Sequence, residues 1–329
     1  MARMTVRVST GLESLDHILD GLRMGDNVVW QVGSVADYIT FVMPFVKKAL
    51  EEKRRLVYIR FAQHRPILEE SPDIVVYELD AFGGFESFTS HLHMIIGQEG
   101  RDVFYVFDCL SDLLSAWATD LMIGNFFRIT CPYLYQLNTI AYFALIQNWH
   151  SYKTIARIRE TTQLLLDVYN VSEALYIHPL KVMGRHKPTM FLPHKMQENS
   201  FQPITSSVDM GRLFTVISSR DSEEAKRNLD YWDRLFMSVE DLVSNDGPQE
   251  QKDKMLRHLS EIMIGREPRI LDLACKRFSL EDILNLKSRL IGTGYIGGKA
   301  VGMLLSRKIL AGDTAYDWNA KLETHDSFY

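Results

Sequence analysis

Apolar residues recur along the first two thirds of the chain in two rhythms. Short, nearly continuous apolar runs at 27–32, 56–61, 74–79, 103–108, 139–147, 174–182 and 189–192 read as strands buried on both faces. Segments of helical period lie between them, at 41–53, 85–99, 111–128 and 151–168. An earlier amphipathic helix places Leu12, Leu15, Ile18 and Leu19 on one stripe between Gly11 and Gly21. Strands that alternate with helices predict an α/β fold, a mostly parallel sheet covered by helices on both faces. The stretch LYIHPLKVMGRHKPTMFLPHKM reads as a hairpin-like pair that turns at 184–188 and closes the sheet.

From residue 221 the pattern changes to charge-rich helical segments, broken by the turn Asn245-Asp246-Gly247-Pro248. Leu229, Trp232, Leu235 and Phe236 share one helix face, and Met255, Leu256, Leu259 and Met263 share another. Such helices form a connecting bundle or a partner-binding hairpin. Ser279-Leu280-Glu281-Asp282 then caps a new helix with acids in its first turn. These breaks divide the chain into a domain at 1–220, a helical linker at 221–278 and a C-terminal piece at 279–329.

Composition narrows the function classes. A chain of 329 residues that is 46% hydrophobic has ample core. Its net charge of −5 comes without a basic stripe, which argues against a nucleic-acid partner. Lys153, Arg157 and Arg159 read as a solvated helix face. Cys109, Cys131 and Cys275 form no C-x-x-C pair, so neither a disulfide framework nor a zinc site is suggested, and reduced thiols in a cytoplasmic protein are expected. The N-terminal segment MARMTVRVST lacks a signal-peptide core, and the longest apolar run, near 139–146, is too short to cross a bilayer. His178, His186 and His194 fall on a strand, a turn and a strand exit with no carboxylate or cysteine beside them in sequence, and His91 and His93 read as surface residues. No metal site and no catalytic nucleophile is expected.

One motif sits where the strand at 27–32 ends. In G-x-x-x-x-G-K-[ST], backbone amides cradle phosphates and the lysine neutralises them. Residues 33–40, GSVADYIT, keep Gly33 and Thr40, but Tyr38 stands for the second glycine and Ile39 for the lysine. Downstream, the strand at 56–61 ends in Ala62-Gln63-His64, and Val103-Phe104-Tyr105-Val106-Phe107 leads to Asp108. In this order the motifs resemble the RecA-like ATPases of the KaiC type, over residues 8–220. The resemblance implies a phosphate loop at 33–40, a pair of water-activating acids at the tip of the second strand, and magnesium held by Asp108. The lysine and both acids are missing, and each such group contributes orders of magnitude to phosphoryl transfer. The expectation is therefore a catalytically inactive RecA-like regulatory or scaffolding module with a vestigial site at Gly33, Thr40 and Asp108. A nucleotide sensor without turnover is the lesser alternative, because Tyr38 takes phosphate space. Rings or filaments are common for such domains, so homo-oligomerisation is an option, with a monomer or dimer preferred.

A second motif, Ile291-Gly292-Thr293-Gly294-Tyr295-Ile296-Gly297-Gly298-Lys299, spells G-x-G-x-x-G. A helical pattern precedes it where a dinucleotide site needs a strand, so the Rossmann reading fails on context. Gly297-Gly298-Lys299-Ala300-Val301-Gly302 instead resembles the opening of the nucleotide-binding domain of phosphoenolpyruvate synthase and pyruvate phosphate dikinase, over about residues 280–329. That resemblance implies that Gly297, Gly298 and Lys299 contact ATP phosphates. It also implies that the chain is the N-terminal part of a longer polypeptide. Its partners would be C-terminal PEP synthase-like domains or another protein, and its cofactors ATP and magnesium in the full-length protein. The alternative function is then a part of an ATP-dependent phosphotransferase acting on pyruvate or phosphoenolpyruvate.

Overall fold

In the computed structural model, which describes residues 7–197, 200–220, 228–318, 320–322 and 328–329, the chain divides into two compact units, 1–228 and 229–329. Residues 1–6 of the N-terminal segment and 221–227 at the start of the charge-rich stretch lie outside the described residues. Unit 1 begins with β1 (Arg7–Val8), α1 (Glu13–Leu19), β2 (Leu22–Arg23), β3 (Asn27–Val32), α2 (Val35–Glu51), β4 (Leu56–Arg60), β5 (Ile74–Glu78) and α3 (Phe85–Glu99). It continues with β6 (Phe104–Cys109), α4 (Leu114–Trp117), α5 (Leu121–Gln136), β7 (Ile140–Ile146), α6 (Tyr152–Thr161) and β8 (Leu164–Val171). The last elements are β9 (Ala174–Val182), β10 (His194–Gln197), β11 (Ser200–Pro203) and α7 (Ser207–Arg220).

The α/β expectation holds. Nine strands form one sheet in the order β11-β10-β9-β8-β3-β7-β6-β4-β5. From β8 to β5 every neighbouring pair is parallel, and β9, β10 and β11 add antiparallel strands at one edge. The inner parallel strands are buried on both faces because alternate side chains feed two cores, whereas the edge strand β5, expected from its apolar run to be buried, is only partly covered. Val28, Trp30, Val32, Tyr58, Val106 and Tyr142 pack with α1 and α2 on one face. Trp30 stacks on Phe41 with centroids 4.3 Å apart, and Phe45 on Tyr142 at 4.1 Å. On the other face Phe107 and Phe143 meet Phe126 and Phe127 of α5. Burying each of these large rings contributes roughly 1.5–3 kcal/mol.

Several elements differ from their sequence expectation, each for a local reason. The helix expected at 151–168 stops at Thr161, and Leu164–Val171 is instead β8, buried against β3. The helix expected at 111–128 is split where Ala118 turns left-handed at φ 58°, giving α4 and α5. The segment 189–192 is a turn rather than a strand, with Met190 fully buried. The expected antiparallel pair forms between β9 and β10, across a longer connection at 183–193 that contains 184–188, and a second, tighter hairpin joins β8 to β9 at Ser172 and Glu173, both at positive φ. Residues 183–193 form a loop anchored by buried Arg185, which donates to the Gly21 carbonyl (2.5 Å) and to the Asp26 carboxylate (2.7 and 2.8 Å). His93 is half-buried in α3, with Nε2 3.2 Å from the Thr130 hydroxyl.

Unit 2 is helical: α8 (Tyr231–Ser244), α9 (Gln249–Met263), α10 (Pro268–Arg277), α11 (Leu280–Ser288) and α12 (Gly298–Ala311). Its core gathers Trp232, Phe236, Val239, Leu259, Ile262, Met263, Ile283 and Leu305. The Ser279 cap forms as the sequence suggests, a reciprocal capping box with Asp282. Residues 229–278 and 279–329 belong to this one unit, with α9 packed on α11 and α10 on α12.

Candidate functional site

In an open parallel sheet, ligands enter at the carboxyl ends of the strands where neighbouring connections diverge. Here that point lies between β3, whose chain crosses through α2 toward β4, and β7, whose chain returns through α6 toward β8. The tips of β3, β4, β6 and β7 therefore bound the place where a ligand would enter such a sheet. Gln147 closes part of it. Its amide donates to the Val32 carbonyl (2.8 Å), and its side chain ties the Gln31 carbonyl (3.3 Å) to the Val168 carbonyl (3.1 Å).

Asp108 sits near the end of β6, completely buried. The Tyr58 hydroxyl donates to Oδ1, while Oδ2 accepts from the Arg60 guanidinium and from the backbone N–H groups of Phe61 and Ala62, both at 2.9 Å. Tyr58 and Arg60 reach it because they are two apart on β4 and share one face of the sheet. The Tyr58 hydroxyl in turn accepts from Ile67 N–H (2.9 Å), and Arg60 also holds the His64 carbonyl. Asp112 receives the next two backbone N–H groups, of Gln63 and His64, and burial pushes its carboxyl upward. Consecutive amides at the β4 tip, well suited to an anion, are thus filled by the chain's own carboxylates. A carboxylate that already holds four donors and is shut from solvent has no open position for magnesium. Burial first, then the neighbouring Asp108 charge, pushes the Tyr58 phenol upward, so it stays a hydrogen-bond donor.

The β3–α2 connection is equally closed. Only Gly33 and Ser34 separate strand from helix, so residues 35–38, which a phosphate loop would leave unwound, are the first turn of α2. The helix expected at 41–53 starts six residues early for two reasons. Ser34 caps it by accepting from Asp37 N–H (3.3 Å), and the apolar stripe of α2 begins at Tyr38 and runs through Phe41, Val42, Phe45, Val46 and Ala49. The Asp37 carboxylate accepts from the Ser34 hydroxyl (2.9 Å), which puts a fixed negative charge at the helix N-terminus where a phosphate would dock. Tyr38 is fully buried and donates to the Phe107 carbonyl at 3.3 Å. Thr40 is exposed and its hydroxyl returns to the Ala36 carbonyl (3.3 Å). Gly33 is exposed, Thr40 faces solvent and Asp108 lies inside, so the three residues of the expected vestigial site do not converge on a common ligand position.

Beside the clasp, the Ser111 hydroxyl lies 2.7 Å from His150 Nε2 and accepts from Ile146 N–H (2.8 Å). Both residues are 1% exposed, so the pair ties β6 to the end of β7 rather than facing a substrate. Burial pushes the Cys109 thiol up to about 12, which keeps it protonated and inert.

The glycine-rich segment of unit 2 has the opposite character. Gly292 and Gly294 adopt φ of 98° and 95°, a conformation that suits glycine. Ile296 N–H anchors the turn on the Met263 carbonyl (2.7 Å), and Gly297 then caps α12 without any side-chain hydrogen bond. Gly297, Gly298 and Lys299 are exposed together at this one helix start, and a Cβ at either glycine would meet nothing within 4 Å.

His178 and His194 are near one another, whereas His186 is exposed. Among the described residues no three histidine, cysteine or carboxylate side chains are grouped as metal ligands, and no helix is long and apolar enough to cross a membrane. The sequence matches no protein-family model and no curated protein.

Arg60 and Tyr58 are the residues that sequence reasoning missed. Their signal was present, as two polar side chains on one face of an otherwise apolar strand.

Proposed function

We propose that unit 1 is a RecA/KaiC-like domain that has given up nucleotide chemistry and serves as a regulatory or scaffolding module, joined to a PEP synthase-like nucleotide-binding segment in unit 2. The observation that carries this reading is the Asp108 carboxylate, whose partners are Arg60, Tyr58 and two backbone amides. An internal guanidinium takes the place of the metal ion, and the clasp holds the β4 tip in one conformation. Three further features support it: the strand order with β3 at the switch point, the short capped connection into α2, and the buried Tyr38 ring. The same features weigh against a nucleotide sensor at Gly33, Thr40 and Asp108.

A second reading is favoured by Lys299. An exposed lysine in the first turn of α12, after a glycine turn with open backbone, suits a phosphate of ATP. It supports unit 2 as part of an ATP-dependent phosphotransferase acting on pyruvate or phosphoenolpyruvate, with ATP and magnesium as cofactors of a longer protein. ATPase assays together with ATP–magnesium calorimetry on the intact chain test both readings. Turnover typical of working RecA-type enzymes contradicts the first, and ATP affinity unchanged in Lys299→Ala contradicts the second.

A further inference from the structure

The β10–β11 hairpin parts from the sheet before its strands end. β10 pairs with β9 at His194↔Ile177 and Lys195↔Tyr176, whereas β9 stays paired with β8 as far as Val171↔Ala174 and the hairpin runs on to Gln197↔Ser200. Beyond Lys195 the two strands diverge. A cleft of 520 Å3 lies there, walled on its other side by α7 through Asp209, Arg212, Leu213 and Val216, and its size is that of small-molecule sites. It shares no residue with the Asp108 clasp or the glycine turn of unit 2.

The lining joins an apolar wall to a cationic rim. Buried Val171 and Leu213 and half-buried Tyr176 and Ile204 supply the wall. Lys195 is half-buried and Gln197, Gln202 and Arg212 are exposed, so a molecule in the cleft reaches each of them from solvent. The Lys195 ammonium lies 6.0 Å from the centre of the Tyr176 ring, within reach of cation–π attraction, and among the described residues no carboxylate forms an ion pair with it. Arg212 meets Asp209 only at 3.8 Å, with both side chains largely in water, a pairing that contributes little. Two cations therefore face one carboxylate. The cleft carries one positive charge in surplus.

We infer that this cleft binds a small monocarboxylate with an apolar body, aromatic or branched aliphatic, its carboxylate at Lys195 and its body against Leu213, Val171 and Tyr176. The lining selects the class. One surplus positive charge suits one negative charge, and a dianion such as a phosphate monoester would meet the Asp209 carboxylate at the same rim. The side-chain amides of Gln197 and Gln202 add donors for carboxylate oxygens. A fully hydrophilic anion leaves the apolar wall wet, whereas a ring or branched chain covers it and gains the burial.

Titration of the intact chain with 4-phenylbutyrate and with 3-methylbutyrate, followed by backbone-amide NMR, tests the assignment. At least one probe is expected to bind with a Kd of about 1 mM or below and to move the resonances of Tyr176, Lys195 and Leu213. The neutral amide of that probe is expected to bind about threefold more weakly or worse, and Lys195→Met, which keeps the stem and removes the charge, to weaken the carboxylate by a similar factor. No movement of the cleft resonances by either probe at about 10 mM overturns the inference. Equal affinity for acid and amide, or affinity that Lys195→Met leaves intact, overturns it too, because the charge then selects nothing.

Discussion

The strand tips of unit 1 and the glycine turn of unit 2 each carry a motif that resembles a phosphate-binding loop, in whole or in part, yet their polar groups are spent in opposite ways. In unit 1 the side chains of the expected site are engaged by the chain itself: Asp108 by Arg60 and Tyr58, Thr40 by the Ala36 carbonyl, and the first turn of α2 by Ser34 and Asp37. In unit 2 the glycines have open space, the start of α12 has no side-chain cap, and Lys299 faces solvent. Motif residues therefore mark where a site could be. Whether their donors and acceptors are still unspent decides if one exists.

The largest expected effect breaks the clasp. Asp108→Ala strands the Arg60 charge, the Tyr58 hydroxyl and two backbone amides, and removing one partner of a buried ion pair costs about 3–5 kcal/mol. Chemical denaturation followed by near-UV circular dichroism reads this out; a loss within experimental error would mean that the clasp contributes nothing. Next comes Tyr38→Ala, which empties a fully buried ring position at a cost of about 3 kcal/mol. Coupling Tyr38→Gly with Ile39→Lys in the Lys299→Ala background restores the loop consensus, and the variant is still expected not to bind ATP, because residues 35–38 remain helical. Tight ATP binding by that variant would show that two side chains alone closed the site.

A smaller effect follows from acid. Burial lowers the pKa of His93, His178 and His194 in unit 1 and of His258 in unit 2 below the ordinary 6.5. For each, the unfolded chain binds its proton first, so stability is intact above 6.5 and declines as pH falls below that value toward the folded-state pKa. Three such groups against one among the described residues make unit 1 the more acid-sensitive; hydrogen exchange at pH 7 and pH 5.5 that shows unit 2 losing more protection would refute this. Lys299→Ala is expected to have the smallest effect, with no measurable change in melting temperature, since an exposed residue of the first helical turn leaves no buried group unpaired.

Much of unit 1 was legible because buried parallel strands write continuous apolar runs: β3, β6 and β7 fall where Asn27, Phe104 and Ile140 begin them. β8 was not, since Leu164-Leu165-Leu166 fits a buried strand or a helix end equally well, and only its pairing with β3 decides. The hairpin turn at Ser172 and Glu173 carries no glycine or asparagine to announce its positive φ. At the site, the missing lysine and acids were plain in the sequence. The early start of α2 was hidden, because it follows from the Ser34 cap acting together with burial of Tyr38. The fate of Asp108 was hidden too, as it depends on Arg60 and Tyr58 from a strand that contacts β6 only in the folded sheet.

The central claim is that the strand tips of unit 1 have no room for a triphosphate. Calorimetry with ATP and magnesium on the Lys299→Ala variant of the intact chain tests it most directly, because that substitution silences the unit 2 turn. The account predicts no heat of binding; a saturable signal that a further Asp108→Asn change abolishes would contradict it.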